Sequence, residues 1–175
     1  DVFARIVHGS RISLTLGIAT TALSLIIGGL IGAISGYFGG IVDNIIMRVA
    51  DMFMAIPSIL LTLAMVAALG TSITNLIIAT TISNVPGFVR IIRSYILTVI
   101  GQEYIEAAKA CGMGDFMIIL RHILPNVIGP IVVEATMTVA GMILSISGLS
   151  YLGMGIQPPT PEWGYLLSSA RQYMR

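Results

Sequence analysis

Along the chain, long uncharged apolar runs alternate with short segments that hold nearly all the charge. Ile12 to Gly36 carries no charged residue, and about 25 such residues suffice for one helix across a hydrocarbon core of roughly 30 Å. Tyr37 to Asp51 interleaves Asp43, Arg48 and Asp51 with Ile45, Ile46, Met47 and Val49 after a Gly39-Gly40 break, a pattern that predicts a short amphipathic helix at the membrane surface. Met52 to Val89 is again without charge; about 38 residues are too many for one span and enough for two. The polar, turn-prone run Gly70-Thr71-Ser72-Ile73-Thr74-Asn75 marks the bend between them. Pro57 opens the first of the two, where a missing N–H does little harm, and Pro86 lies inside the second, which it should kink. Arg90 and Arg93 mark the exit into water. From Pro125 to about Ser147 a further apolar run follows. The predicted spans are about 12–36, 53–69, 74–95 and 125–147. Past them comes the Gly/Pro-rich GLSYLGMGIQPPTPEWGYLL, whose Trp163 and Tyr165 suit a membrane interface.

Between the third and fourth runs lies Gln102 to Pro125, QEYIEAAKACGMGDFMIILRHILP. It holds Glu103, Glu106, Lys109, Asp115, Arg121 and His122, a group of titratable side chains that lipid does not accept, so the stretch belongs in water. Ala107, Ala108 and Ala110 are strong helix formers with minimal side chains. They let a short helix lie flush in a groove on another protein, with Glu103, Glu106 and Lys109 at its rim. Gly112 and Gly114 then turn the chain, and Asp115 is placed to cap the helix that climbs back toward Pro125.

Composition agrees with a polytopic membrane protein. The chain is 56% hydrophobic and 10% charged with a mean hydropathy of +0.96, against roughly 25% charged residues in a soluble domain. A net charge of +1 gives no reason to expect a nucleic-acid partner. One cysteine, Cys111, excludes an internal disulfide and disfavours a thiolate cluster. Asp1 to Arg11 is amphipathic and charged without an apolar core, unlike a signal or transit peptide. The chain therefore reads as an internal piece of something longer.

Glu106-Ala107-Ala108, followed by Gly112 and then Ile123-Leu124-Pro125, matches the EAA signature of ABC importer permeases. Leu149-Ser150-Tyr151-Leu152-Gly153 and Gln157-Pro158-Pro159-Thr160-Pro161-Glu162-Trp163-Gly164 resemble a run found in dipeptide-type permeases. Gly9-Ser10-Arg11-Ile12-Ser13-Leu14 and the Tyr37-Phe38-Gly39-Gly40 turn look similar too. The chain thus resembles the membrane subunit of the dipeptide/oligopeptide/nickel (DppC/OppC-like) importers over nearly its whole length.

The resemblance implies an all-α integral membrane protein, a polytopic helical bundle of the type I importer (MetI-like) kind. About four complete spans and the start of another would form a single permease domain over residues 1–175, with the coupling stretch at 102–125 and a further span usual on either side. It implies the inner membrane of a prokaryote and a path for dipeptides or oligopeptides, with nickel or another small solute as the alternative. The implied partners are a second homologous permease, two ABC ATPase subunits, an extracytoplasmic solute-binding protein and the bilayer. The EAA stretch would be the coupling helix that docks on an ATPase, a role that falls on Glu103, Tyr104, Glu106, Ala107, Ala108, Gly112 and Asp115. No phosphate-binding G-x-x-x-x-G-K-[ST] loop is present. ATP and magnesium are therefore expected on the partner ATPases, with no cofactor or metal on this chain. With the EAA stretch cytoplasmic, Arg48, Arg90, Arg93, Lys109 and Arg121 fall inside and Arg5, Arg11, Arg171 and Arg175 outside, a charge balance that only weakly favours this orientation.

Two features admit more than one reading. Gly28, Gly32, Gly36 and Gly40 form a stripe on one helix face; it either lets two backbones approach or reflects the general abundance of glycine in membrane helices. Glu134 lies about 14 Å beyond Pro125 along a helix, near mid-membrane, where an ionised carboxylate costs on the order of 3 kcal/mol. It lines a translocation path together with Met137, or stays protonated across a helix interface, or makes a satisfied packing contact. The ten methionines fit flexible core filling better than a soft-metal site. Gly112-Met113-Gly114-Asp115 matches the G-x-G-D of intramembrane aspartyl proteases, whose chemistry needs two aspartates sharing a proton; Asp43 and Asp51 lie in a surface segment instead. A passive channel would share the spans but has no use for an EAA stretch.

Overall fold

A computed structural model of the chain describes residues 2–156 and 160–173. Gln157, Pro158 and Pro159 of the Gln-Pro-Pro run, and Arg175, expected on the outer side, lie outside the described residues. Among the described residues all regular structure is helical.

Helix α1 runs from Val2–Phe38, 37 residues or about 55 Å, well beyond the span expected at 12–36. No glycine pair or proline interrupts residues 2–11, so the charged start simply continues the helix. It ends where Gly39 and Gly40 adopt φ of 62° and 54°, a left-handed pair that glycine accepts without steric cost. Helix α2, Gly40–Met54, follows. Helix α3 is only Ser58–Leu69, 12 residues or about 18 Å. The expected span at 53–69 is therefore corrected: Phe53 and Met54 finish α2, and α3 starts after Pro57, whose φ is −52° and ψ 128°. A proline disfavours helical backbone at the residue before it, and α2 and α3 are bent by 79° at this break.

Helix α4, Ile73–Val99, starts within the run expected to turn, taking in Ile73, Thr74 and Asn75, and carries Pro86 inside. A short helix α5, Glu103–Ala110, precedes α6, Asp115–Ile118. A π-helical segment, Ile119–Ile123, then leads into α7, Leu124–Tyr151. The last span thus does not open at Pro125; Asp115–Tyr151 is one helical stretch of 37 residues. The π-turn lies where the proline ring would press on the carbonyl four residues back, at Arg121. Helix α8, Trp163–Ala170, and a 3₁₀ turn, Arg171–Tyr173, close the chain. Val2–Phe38, Ile73–Val99 and Asp115–Tyr151 are each long and apolar enough to cross a membrane, and the bent α2–α3 pair would make a fourth span.

The chain forms two compact units. The first gathers Asp1–Leu23, Ile56–Asn84 and Met137–Arg175 around Leu16, Val66, Leu76, Ala79, Ile146, Leu149 and Ile156. Within it Glu162 is fully buried. Its Oε2 accepts from the Tyr165 N–H (3.0 Å), capping α8, and its Oε1 accepts from Ser13 Oγ (3.3 Å). Trp163 packs on α1 and donates its indole N–H to the Ile6 carbonyl (3.0 Å). The neighbouring Gly164 is required by space: a Cβ there would lie 2.3 Å from the Ser147 carbonyl oxygen.

The second unit comprises Ser24–Ala55 and Val85–Thr136. In it the glycine stripe lies against α4. A Cβ on Gly28 would lie 2.8 Å from the Val85 carbonyl oxygen, and one on Gly32 2.6 Å from that of Val89. At Gly36 the nearest atom, Ile96 Cβ, would be 3.0 Å away, whereas Gly40 meets nothing and serves the turn. Close backbone approach is therefore what three of the four glycines provide.

Candidate functional site

Helix α5 is held on the second unit by one face. Ile105 is fully buried and Ala108, one turn on, is 7% exposed, both in a core with Tyr37, Ile118, Ile123, Val127 and the α4 side chains Phe88, Ile92 and Ile96. The i, i+3 spacing puts these two inward, and Glu103, Tyr104, Glu106, Ala107 and Lys109 face outward and are exposed. Ala108 thus packs against its own protein and is not on the exposed face of α5. The outward face carries two carboxylates and an ammonium around Ala107, with Tyr104 at 40% exposure. Beyond the turn, Phe116 is 76% exposed and Met117 stands out beside it.

Both ends of α5 are closed by backbone alone. Gln102 is extended, and its carbonyl accepts from the Ile105 N–H (2.9 Å). At the other end Gly112 adopts φ +78°; its N–H donates to Lys109 (2.9 Å), and that of Met113 to Ala108 (3.1 Å). This pair of bonds with a left-handed glycine is the Schellman arrangement. Gly112 is thus required by conformation and not by space, since a Cβ there would meet nothing. Gly114, extended at φ −68°, takes the cap position of α6. Asp115, expected to be that cap, is the first helical residue instead, and its Oδ1 accepts from the Tyr37 hydroxyl (2.5 Å). Lys109 Nζ lies 5.3 Å from the centroid of the same Tyr37 ring, within cation–π range. Tyr37, at the end of α1, thus touches both ends of the turn after α5. It appeared in the sequence only as part of the Tyr-Phe-Gly-Gly turn, and a contact spanning 78 positions leaves no periodicity to read.

The acidic residues of α2 pair with the arginines of α4. Arg93 grips Asp43 through both Nε and Nη2, the latter donating to Oδ2 at 2.6 Å, and Ser35 Oγ donates to Asp43 Oδ1 at 2.6 Å. Arg90 reaches Asp51 Oδ1 at 2.5 Å on a more open site. These aspartates are held by arginine and Asp115 by tyrosine, so no aspartate pair sharing a proton occurs among the described residues. Glu134 is half-buried with no hydrogen-bond partner among the described residues, and Met137 is 70% exposed. No metal-type cluster of His, Cys, Asp and Glu occurs among the described residues.

Residues 28–174 match the family described as the binding-protein-dependent transport system inner membrane component. The chain is 46% identical over 175 residues to the dipeptide transport system permease protein DppC of Alkalihalophilus pseudofirmus, covering 100% of this chain and 58% of that protein. It is 39% identical over 174 residues to the di/tripeptide transport system permease protein DppC of Pseudomonas aeruginosa, covering 99% of this chain and 57% of that one. To the glutathione transport system permease protein GsiD of Pectobacterium atrosepticum it is 42% identical over 174 residues, covering 99% and 58%. The chain therefore spans well under two thirds of the length of the curated relatives it matches.

Proposed function

The chain belongs to the family of binding-protein-dependent transport system inner membrane components, transport proteins rather than enzymes, and from that premise we propose that it is the membrane-spanning permease part of a peptide importer, driven through α5 by a separate ATPase. The observation that carries this reading is the two-faced α5. Ile105 and Ala108 lock it into the core that holds α1, α4 and α7, while Glu103, Tyr104, Glu106 and Ala107 are presented outward. A partner that moves α5 therefore moves the helices packed on Ile105 and Ala108.

In this reading two ATPase subunits hold ATP and magnesium, a second homologous permease completes the path, and an extracytoplasmic binding protein delivers the solute to the inner membrane of a prokaryote. A dipeptide or oligopeptide cargo is supported by relatives named for dipeptide, di/tripeptide and glutathione transport. Glu134 and Met137, on the part of α7 where the carboxylate is half-buried and the thioether exposed, are assigned to the path.

The test is copurification of the full-length permease with its ATPases from detergent. Glu106→Arg reverses charge on the outward face without touching the core, so it should abolish copurification while the permease remains folded. Ala107→Leu should do the same by adding bulk to the small residue between the exposed charged side chains. Undiminished ATPase capture by both variants would remove α5 from the docking surface.

A further inference from the structure

A cavity of mixed polar and apolar lining lies inside the first unit, among α3, the first half of α4 and the second half of α7. Its volume is about 60 Å³ and its polar lining comes from Ser58, Thr62, Thr80, Ser83, Asn84 and Ser145. That is room for a few water molecules, or for one peptide group. Asn84 lies eleven residues into α4, about 17 Å along a 27-residue span, so the cavity sits at membrane depth. Thr62 and Thr80 are buried at its floor, whereas Ser58 and Ser145 are exposed at its rim.

The hydrogen-bonding pattern specifies what fits. Thr80 Oγ1 donates to the Leu76 carbonyl (2.6 Å), Ser83 Oγ to Ala79 (2.9 Å) and Thr62 Oγ1 to Ser83 Oγ (2.9 Å). With their protons committed, the threonine oxygens face the cavity as acceptors. Asn84 Nδ2 is buried without a partner among the described residues and supplies the donor. No charged side chain lines the space. An uncharged lining that combines hydroxyl oxygens, the unpartnered Asn84 amide nitrogen and the apolar Ile59, Met142 and Leu149 matches a neutral amide, which offers one N–H and one C=O, and it offers nothing to neutralise an ion. A buried Asn84 amide left without a partner at membrane depth costs several kcal/mol, which favours water in the cavity when it holds nothing else.

We propose that this cavity is a subsite of the translocation path that receives the backbone amide of a short peptide in exchange for water. The assignment rests on the peptide-importer reading for its cargo, but the site's wetness and ligand protection are measured independently of ATPase docking. The experiment uses the full-length permease with its partners in proteoliposomes, carrying Asn84→Cys, Ser145→Cys or, as a lipid-facing control, Leu144→Cys (Leu144 is 74% exposed). A membrane-impermeant cationic methanethiosulfonate is applied with and without excess dialanine, and the modified cysteine is located by mass so that native Cys111 does not interfere.

Asn84→Cys and Ser145→Cys should react while Leu144→Cys does not, and dialanine should slow both reactions at least about fivefold. Asn84→Leu should raise the half-saturating dialanine concentration for uptake by about tenfold, the effect of one lost hydrogen bond, with ATPase copurification unchanged. Cysteines at 84 and 145 as unreactive as that at 144 would mean a dry or lipid-filled pocket and overturn the proposal. Reaction at the same rate with and without dialanine would leave a water pocket with no cargo and overturn it equally. Loss of copurification in the unmodified permease would strike the importer reading alone, leaving the labelling result to stand.

Discussion

At Gly112 the backbone turns through φ +78°, a conformation that costs an L-residue roughly 1–2 kcal/mol. Gly112→Ala should therefore weaken the end of α5 and reduce ATPase capture several-fold, while lowering the melting temperature of the purified permease by only a few degrees. Gly32 does a different job with the same residue type. Its Cβ would strike the Val89 carbonyl at 2.6 Å, so Gly32→Leu should force α1 and α4 apart at a cost of about 2 kcal/mol or more. Gly129→Ala, where nothing lies within 4 Å, should be neutral or slightly stabilising. Thermal unfolding followed by tryptophan emission in detergent would rank the three. The four-residue spacing announced the stripe at Gly28, Gly32 and Gly36 in the sequence, but not that Gly40 leaves it. That distinction depends on where α1 stops, which the Gly39-Gly40 pair decides through two positive φ values.

At the level of elements, the paired charges of α2 and α4 differ in what they contribute. Asp43 and Arg93 are 16% and 27% exposed at the side chain, Asp51 and Arg90 about half exposed. Arg93→Ala leaves a poorly solvated carboxylate and should destabilise by about 2 kcal/mol, whereas Arg90→Ala should cost well under 1 kcal/mol. Arg93→Lys should not recover the loss, because an ammonium cannot reproduce the two-nitrogen grip; chemical denaturation midpoints of the three variants would decide. The sequence showed these residues as a surface helix and a span exit, yet not as partners, since 50 positions separate Asp43 from Arg93. It likewise placed a helix over the EAA stretch without showing which side faced home. Alanines look alike in composition, and only the burial of Ile105 tells that Ala108 points inward. Pro57 was legible in the sequence but the break before it was not: the expected span ran on from 53, whereas the residue before a proline is kept out of the helical region and α3 starts only at Ser58.

For the molecule as a whole, the spans were legible because membrane-length apolar runs have few other uses, and the division into two units was not. With the EAA stretch on the cytoplasmic side, Arg48, Arg90, Arg93, Lys109 and Arg121 are expected inside and Arg5, Arg11 and Arg171 outside. Arg48→Cys should accordingly be modified only from the cytoplasmic side of oriented membranes and Arg11→Cys only from the other; the same side for both would refute the topology. Neither experiment touches the central claim, that α5 is where force enters the permease. Native Cys111 lies exposed at the end of that helix, next to the outward face, and needs no substitution to serve as a probe. The most direct measurement attaches a short photoactivatable maleimide to Cys111 in the assembled importer and identifies the adduct by mass spectrometry. The account predicts a crosslink to an ATPase subunit, suppressed by Glu106→Arg; a crosslink confined to lipid or to the extracytoplasmic binding protein would contradict it.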